Sequence, residues 1–313
     1  MELYKNRDFS DFFQDTFAFL KANGRHFFKQ YLIINGIFLI ILIGVGYVFM
    51  KFYTEIVFGG LFGGNTSSEI DRYMNENFGL FLLVMSIFVI MAIIAGIVSY
   101  AYPPIYLKLY SARGGTNFNA KDIVSVYKSN IVKLVLFVIC GFLLAIPLMV
   151  VFFIGAFLLV ITIVGILAIP LLFAAFMLLY TMALMEYLED KKGIWDCFGY
   201  AWQLIKSKFW AAVGCVGLFY LISYIAQNVV SIIPYIFGMA SLFTVVDSGS
   251  PSNEEVGATM MVVMLLVFFL TFIVSAILGT ITQLNQGIIF YSLKEANENI
   301  NTKSIIDQIG SGE

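Results

Sequence analysis

The chain has 313 residues, 60% hydrophobic and 12% charged, with a net charge of −2 and a mean hydropathy of +0.91. A soluble domain carries about 25% charged residues, so the composition excludes an ordinary globular fold and points to transmembrane helices. The near-neutral balance also excludes a global field that would draw in nucleic acid.

The first element runs from Phe9 to Met50. Phe9, Phe12, Phe13, Phe17 and Leu20 are interleaved with Lys21, Arg25 and Lys29, and an uncharged run follows from Tyr31 to Met50. This pattern predicts an interfacial amphipathic helix turning into span 1, near 31–50. It has no small-residue cleavage pattern, so an uncleaved first span is expected. Lys51 to Phe78 reads as a loop, because 58–64 is too glycine-rich for a stable helix. Asn65-Thr66-Ser67 matches a glycosylation acceptor, which matters only in a eukaryotic secretory setting.

Span 2 is expected near 79–102, stopped by Pro103-Pro104, neither of which donates a helical hydrogen bond. From Leu134 to Met185 there are 52 residues without Asp, Glu, Lys, Arg or His. As helix they would extend about 78 Å against a hydrocarbon core of about 30 Å. Two long passes fit, broken among Pro147, Gly155, Gly165 and Pro170, with room for a re-entrant half-span. Span 5 is expected at 209–233, ending near Pro234, and span 6 at 257–281. Residues 294–313 read as a polar cytoplasmic tail with a partial amphipathic face.

Six spans place 16 of the 18 basic residues on one side, leaving only Lys51 and Arg72 on the other. The positive-inside rule then makes both termini cytoplasmic. A third pass between 134 and 185 would put Lys191, Lys192, Lys206 and Lys208 outside.

Three lead-in segments share a pattern. Phe19-Leu20-Lys21-Ala22, Val126-Tyr127-Lys128-Ser129 and Leu204-Ile205-Lys206-Ser207 each set a Lys after two apolar residues and before Ala or Ser. An amphipathic helix with its aromatic face in the membrane and its Lys reaching the phosphates would produce this pattern. The competing reading is that any Lys beside a span looks like this. Alternation with hairpins favours a parallel threefold repeat, in units 9–107, 118–189 and 192–293 of a single transmembrane domain, 1–293. The expected fold class is therefore all-α: a polytopic bundle of six transmembrane helices with three interfacial helices.

The lead-ins, Ser111-Ala112-Arg113-Gly114-Gly115, Trp195 to Lys208 and the close Phe290-Tyr291-Ser292-Leu293-Lys294-Glu295 resemble a broad group of bacterial membrane proteins. That group includes the membrane domain of glycerophosphoryl diester phosphodiesterases and many stand-alone relatives of unassigned function. In the fused enzymes the chemistry belongs to a separate soluble barrel, for which 313 residues leave no room. The resemblance implies an architecture in a bacterial cytoplasmic membrane and no phosphodiesterase activity.

The chemistry-bearing residues are sparse. His26 is the only histidine, and beside Arg25 it reads as a solvated surface residue. One His and three scattered cysteines (Cys140, Cys197 and Cys215) make no zinc set and read as reduced, buried thiols. There is no GxxxxGK[ST] or HExxH motif. No catalytic residue, metal or cofactor is therefore expected. Lys21, Lys128, Lys206, Lys208, Trp195 and Trp202 are the candidates for lipid headgroup contact, with Trp210 in the same aromatic belt. Gln227, Asn228, Gln283, Asn285 and Gln286 are candidates for a polar cavity. Their plainer role is interhelical hydrogen bonding. The expected function is a non-enzymatic lipid-interacting scaffold or partner subunit, with membrane lipids and another membrane protein as partners. The alternative is a transporter or lipid-translocating protein with Pro147, Pro170 and Pro234 along its path.

Overall fold

The structure, a computed structural model, describes residues 1–61, 67–162, 165, 168–247 and 253–301. Among these the chain is all-helical: α1 (Phe9–Leu61), α2 (Ser67–Arg113), α3 (Ala120–Val160), α4 (Ile169–Tyr187), α5 (Ile194–Ser207), α6 (Phe209–Asp247) and α7 (Asn253–Glu298). All but α5 contain a stretch long and apolar enough to cross a membrane, six in total among the described residues. The chain is a multi-pass membrane protein, and the run 134–185 contributes two passes, α3 and α4.

Several helix limits differ from the sequence expectation. The first lead-in segment and span 1 are one helix. Phe12, Phe19 and Phe27 on its lead-in are fully buried against protein: Phe19 meets Tyr106 and Tyr110, and Phe27 meets Tyr102 and Tyr106. This aromatic face therefore packs inward, while Phe9 and Phe17 stay exposed. The helix also continues to Leu61, through Gly59 and Gly60. Extending an existing helix adds one hydrogen bond per residue, which offsets a glycine cost of about 1 kcal/mol.

Pro103 and Pro104 lie inside α2 rather than at its end. An interior proline costs roughly 3 kcal/mol. Here the following turn buries Ile105, Tyr106 and Leu107 completely, and its close packing on Phe19 and Phe27 of α1 holds the helix continuous through the two prolines. What ends α2 is Gly114, at φ 64°, with the Gly115 amide donating to the Tyr110 carbonyl at 3.1 Å. This is a glycine-terminated helix end that an L-residue would strain. Pro147 and Pro234 are likewise interior to α3 and α6, and Pro170 sits in the first turn of α4. Residues 62–66, which include Asn65 and Thr66 of the glycosylation match, lie outside the described residues. So do residues 163, 164, 166 and 167 of the α3–α4 connection and the tail beyond Asn301.

Only the third lead-in is a separate helix. Gly193 precedes α5 with extended backbone, and Lys208 ends it at φ −141°, ψ 49°. The second lead-in, Val126 to Ser129, lies within α3, whose first turn is fixed by a reciprocal capping box of Asn119 and Asp122 and by Arg113 pairing with Asp122 at 2.9 Å.

The chain divides into two compact units. One comprises Met1–Ile34, Ile97–Ile222 and the described residues from Gly279 on; the other comprises Asn35–Gly96 and Ser223–Leu278. The division cuts across the repeat units 9–107 and 192–293. The first unit holds nearly all the buried polar groups. The second buries few polar side chains among its described residues, Asn35 and Ser223, and packs by close approach: a methyl at Gly46 would lie 2.8 Å from Phe268, and one at Gly238 would lie 2.3 Å from Val263.

Candidate lipid-contact site

The site is built on α5. Its inner face, Cys197, Phe198, Ala201, Leu204 and Ile205, is buried. Its outer face presents Trp195 and Trp202, both large and exposed, with Lys206 one turn beyond Trp202. The Lys206 ammonium lies 5.1 Å from the Trp202 ring centroid, a cation–π pair at an exposed position. Lys21 and Lys128 are also exposed, on α1 and α3. Trp210 is exposed too, but it starts α6 rather than sitting on α5.

Lys208 has a different place. Its ammonium donates to Asn6 Oδ1 at 2.8 Å, the Arg7 carbonyl at 2.9 Å and Asp8 Oδ1 at 2.6 Å. It thus anchors the N-terminal segment. Arg7, fully buried, organises that segment by donating to the carbonyls of Glu2, Leu3 and Lys5 and to Asp15.

Behind α5 lies an ionic cluster that joins Lys294, expected at the start of a polar tail, to Glu186, Glu189 and Lys192 around the end of α4. Lys294, on α7, is 1% exposed. It donates to Glu186 Oε2 at 2.6 Å and Glu189 Oε2 at 2.5 Å. Lys192 holds the other oxygen of Glu186 at 2.8 Å and sits 3.1 Å from the centre of the Tyr200 ring. The Tyr200 hydroxyl donates to Glu298. Burial first, and then the hydrogen bond to Glu298 and its charge, push the Tyr200 hydroxyl well above its usual range, so it stays a donor. The cluster ties the end of α4 to α5 and α7.

Two further buried networks join helices. Asn285 donates to the Phe12 carbonyl at 3.1 Å and to Thr16 Oγ1 at 2.9 Å. Thr181 donates to Gln286 Oε1 at 2.5 Å, and Gln286 Nε2 donates to the Tyr220 hydroxyl at 3.3 Å. Of the five cavity candidates, Asn285 and Gln286 are therefore interhelical bonds in a closed interior. Gln283 is half-buried in the same unit. Gln227 and Asn228 belong to the other unit. Asn228 donates back to the Tyr224 carbonyl of its own helix at 2.7 Å.

His26 is half-buried rather than solvated. Its Nε2 faces the Phe118 carbonyl at 2.9 Å and its Nδ1 faces the Tyr106 hydroxyl at 2.8 Å. A carbonyl only accepts, so Nε2 carries a proton. The Gln30 amide approaches that nitrogen at 3.3 Å. His26 thus pins α1 to the α2–α3 connection.

Between α3 and α4, with Tyr100 of α2, runs an apolar groove of about 520 Å³. Phe137, Gly141, Ala145 and Met149 line one side, and Phe173, Phe176 and Tyr180 the other. The Tyr180 hydroxyl, which could have made the wall polar, donates across it to the Gly141 carbonyl at 2.8 Å.

Among the described residues no group of three or more His, Cys, Asp or Glu could hold a metal. Comparison with family models, curated proteins and solved structures finds no match for this chain.

Proposed function

We propose that the protein is a non-enzymatic, lipid-interacting scaffold or partner subunit of a bacterial cytoplasmic membrane, with both termini cytoplasmic. The observation that carries this reading is the outer face of α5. An amphipathic helix set between two spans, with exposed Trp195 and Trp202 and a Lys206 stacked on indole, suits the headgroup layer. The ionic cluster supports it differently. Its carboxylates and ammonium groups are spent on one another, which fits a role in holding helices together. The family resemblance in the lead-in segments and the basic bias of one side support the location.

The groove favours the second reading, lipid translocation, because Pro147 interrupts the α3 hydrogen-bond ladder beside the groove residue Leu148. The closed amide networks count against a polar route through the first unit.

Charge reversal tests the first reading. A Lys near an anionic surface contributes about 1 kcal/mol. Reversing Lys21, Lys128 and Lys206 together to Glu is therefore expected to reduce the preference for anionic over neutral lipid at least tenfold, read from the lipids that co-purify in mild detergent. An unchanged preference removes the α5 reading. A protein partner recovered in the same preparations supports the scaffold role, and a single bound lipid class supports translocation.

A further inference from the structure

We infer that the α3–α4 groove holds one acyl chain of a phosphate-bearing lipid, with the headgroup at Lys133 and Asp190. The inference rests on the lipid-contact reading but concerns a different surface. Its first support is shape. The groove follows α3 from Phe137 to Phe153, which at 1.5 Å per residue is about 24 Å. Spread over that length, its volume of about 520 Å³ leaves a mean section of ~22 Å². An α-helix about 10 Å across needs roughly 80 Å². A long, narrow furrow of this kind suits a single hydrocarbon chain better than a helix from a partner or a second copy.

The second support is what lies at its end. Phe137 stacks on Tyr187 at 6.3 Å, and the Lys133 ammonium lies 6.0 Å from the Tyr187 ring. Lys133 pairs with Asp190, whose side chain is largely exposed while that of Lys133 is about a quarter exposed. Phe137 and Tyr180 also pack on Phe198 of α5 at 5.5 and 5.4 Å. The uncharged groove thus ends within one ring of an exposed ion pair. A phosphate there would take the place of Asp190 on Lys133, while the chain stays in uncharged surroundings. This is the charge order of a phospholipid read along the helix. Each methylene taken from water contributes about 0.8 kcal/mol, but in a bilayer this term vanishes. Preference for the groove must then come from the fit of its aromatic walls and from the charged end.

The test places the full-length protein in phosphatidylethanolamine vesicles containing phosphatidylglycerol, a trace of which carries a photoreactive diazirine near one chain's methyl end. Label is mapped after irradiation. Labelling over 141–153 and 173–177 is expected to exceed that at the exposed Ile37 and Ile40 of α1 by about tenfold, the ratio given by 1.4 kcal/mol. Ala145→Phe, which fills the groove, should bring it down to that background. Leu143→Phe, on an exposed position outside the lining, should leave it high. Even labelling of all exposed apolar helices, or an undiminished signal in Ala145→Phe, overturns the inference. If Ala145→Phe does not fold, Met149→Trp serves in its place, and the wild-type pattern alone can still refute the groove. Loss of anionic preference in the lysine variant with groove labelling unchanged would separate the two sites. So would the reverse.

Discussion

The two units are made from the same kind of helix and are held together differently. The first unit buries Arg7, Glu186, Lys294, Asn285 and Gln286 and satisfies each with a partner: Arg7 with backbone carbonyls and Asp15, Glu186 with Lys294, Asn285 with Thr16, and Gln286 with Thr181. In the second, the buried apolar side chains among the described residues are Leu42, Ala95 and Val263. Its surface exposes Ile37, Ile40, Ile90 and Phe237. Lipid is as apolar as leucine, so burial between membrane helices gains little, and association depends on close packing or on polar bonds. The first unit uses the polar route. The second uses glycines that let helices approach.

The largest expected effect comes from breaking the polar route at its centre. Removing one partner of a buried ion pair costs roughly 3–5 kcal/mol. Lys294→Met is expected near 3 kcal/mol, because Glu186 keeps Lys192 at 2.8 Å. Adding Glu186→Gln should restore part of that loss, since the more deeply buried of the two carboxylates that Lys294 held is then uncharged, while the more exposed Glu189 keeps its charge. Unfolding of purified protein in detergent measures both. An unchanged midpoint in Lys294→Met would mean that the pair does not join α4 to α7.

The matching experiment in the second unit is Gly238→Ala. The added methyl would sit 2.3 Å from a Val263 methyl, and a β-branched side chain in a helix has little freedom to turn away. The helices α6 and α7 must part, at about 1–3 kcal/mol. Protease cleavage or cysteine cross-linking between α6 and α7 should report it, while the ionic cluster is untouched. If the variant destabilises the first unit equally, the two do not unfold separately.

The contrast also explains what could be read from sequence. Six spans were legible because charge-free runs are a local signal. Asn285 and Gln286 were legible as polar groups in an apolar setting, and their partners on α1 and α4 fit interhelical bonding. Lys294 was not, because its partners Glu186 and Glu189 are 108 and 105 residues away; locally it looks like the start of a tail. His26 was misread for the same reason, its contacts being 80 and 92 residues distant. Pro103-Pro104 was read by intrinsic propensity, and the packing that overrides it is tertiary. The groove has no sequence signature, since Phe, Gly and Met spaced along a span look the same facing lipid or facing a furrow.

The smallest expected effect concerns Cys197, which lies at the boundary of the ionic cluster. Its side chain is buried on α5, with Sγ 3.8 Å from the Lys192 carbonyl. Burial first, and then the charge of Glu186, push the thiol up to about 11 from an ordinary 9.0. The thiolate is the reactive form. Well below both values its fraction falls about tenfold per unit, so at pH 8 Cys197 should react with a maleimide about a hundredfold more slowly than an unburied thiol. Glu186→Gln removes the larger of the two carboxylate charges that add to burial, Asp196 being the other, and should speed the reaction. Mass-resolved labelling of the intact protein distinguishes these outcomes. Labelling at the rate of a free thiol would show α5 leaving its packed position, and the outer face of Trp195 and Trp202 would then no longer be fixed by the cluster behind it.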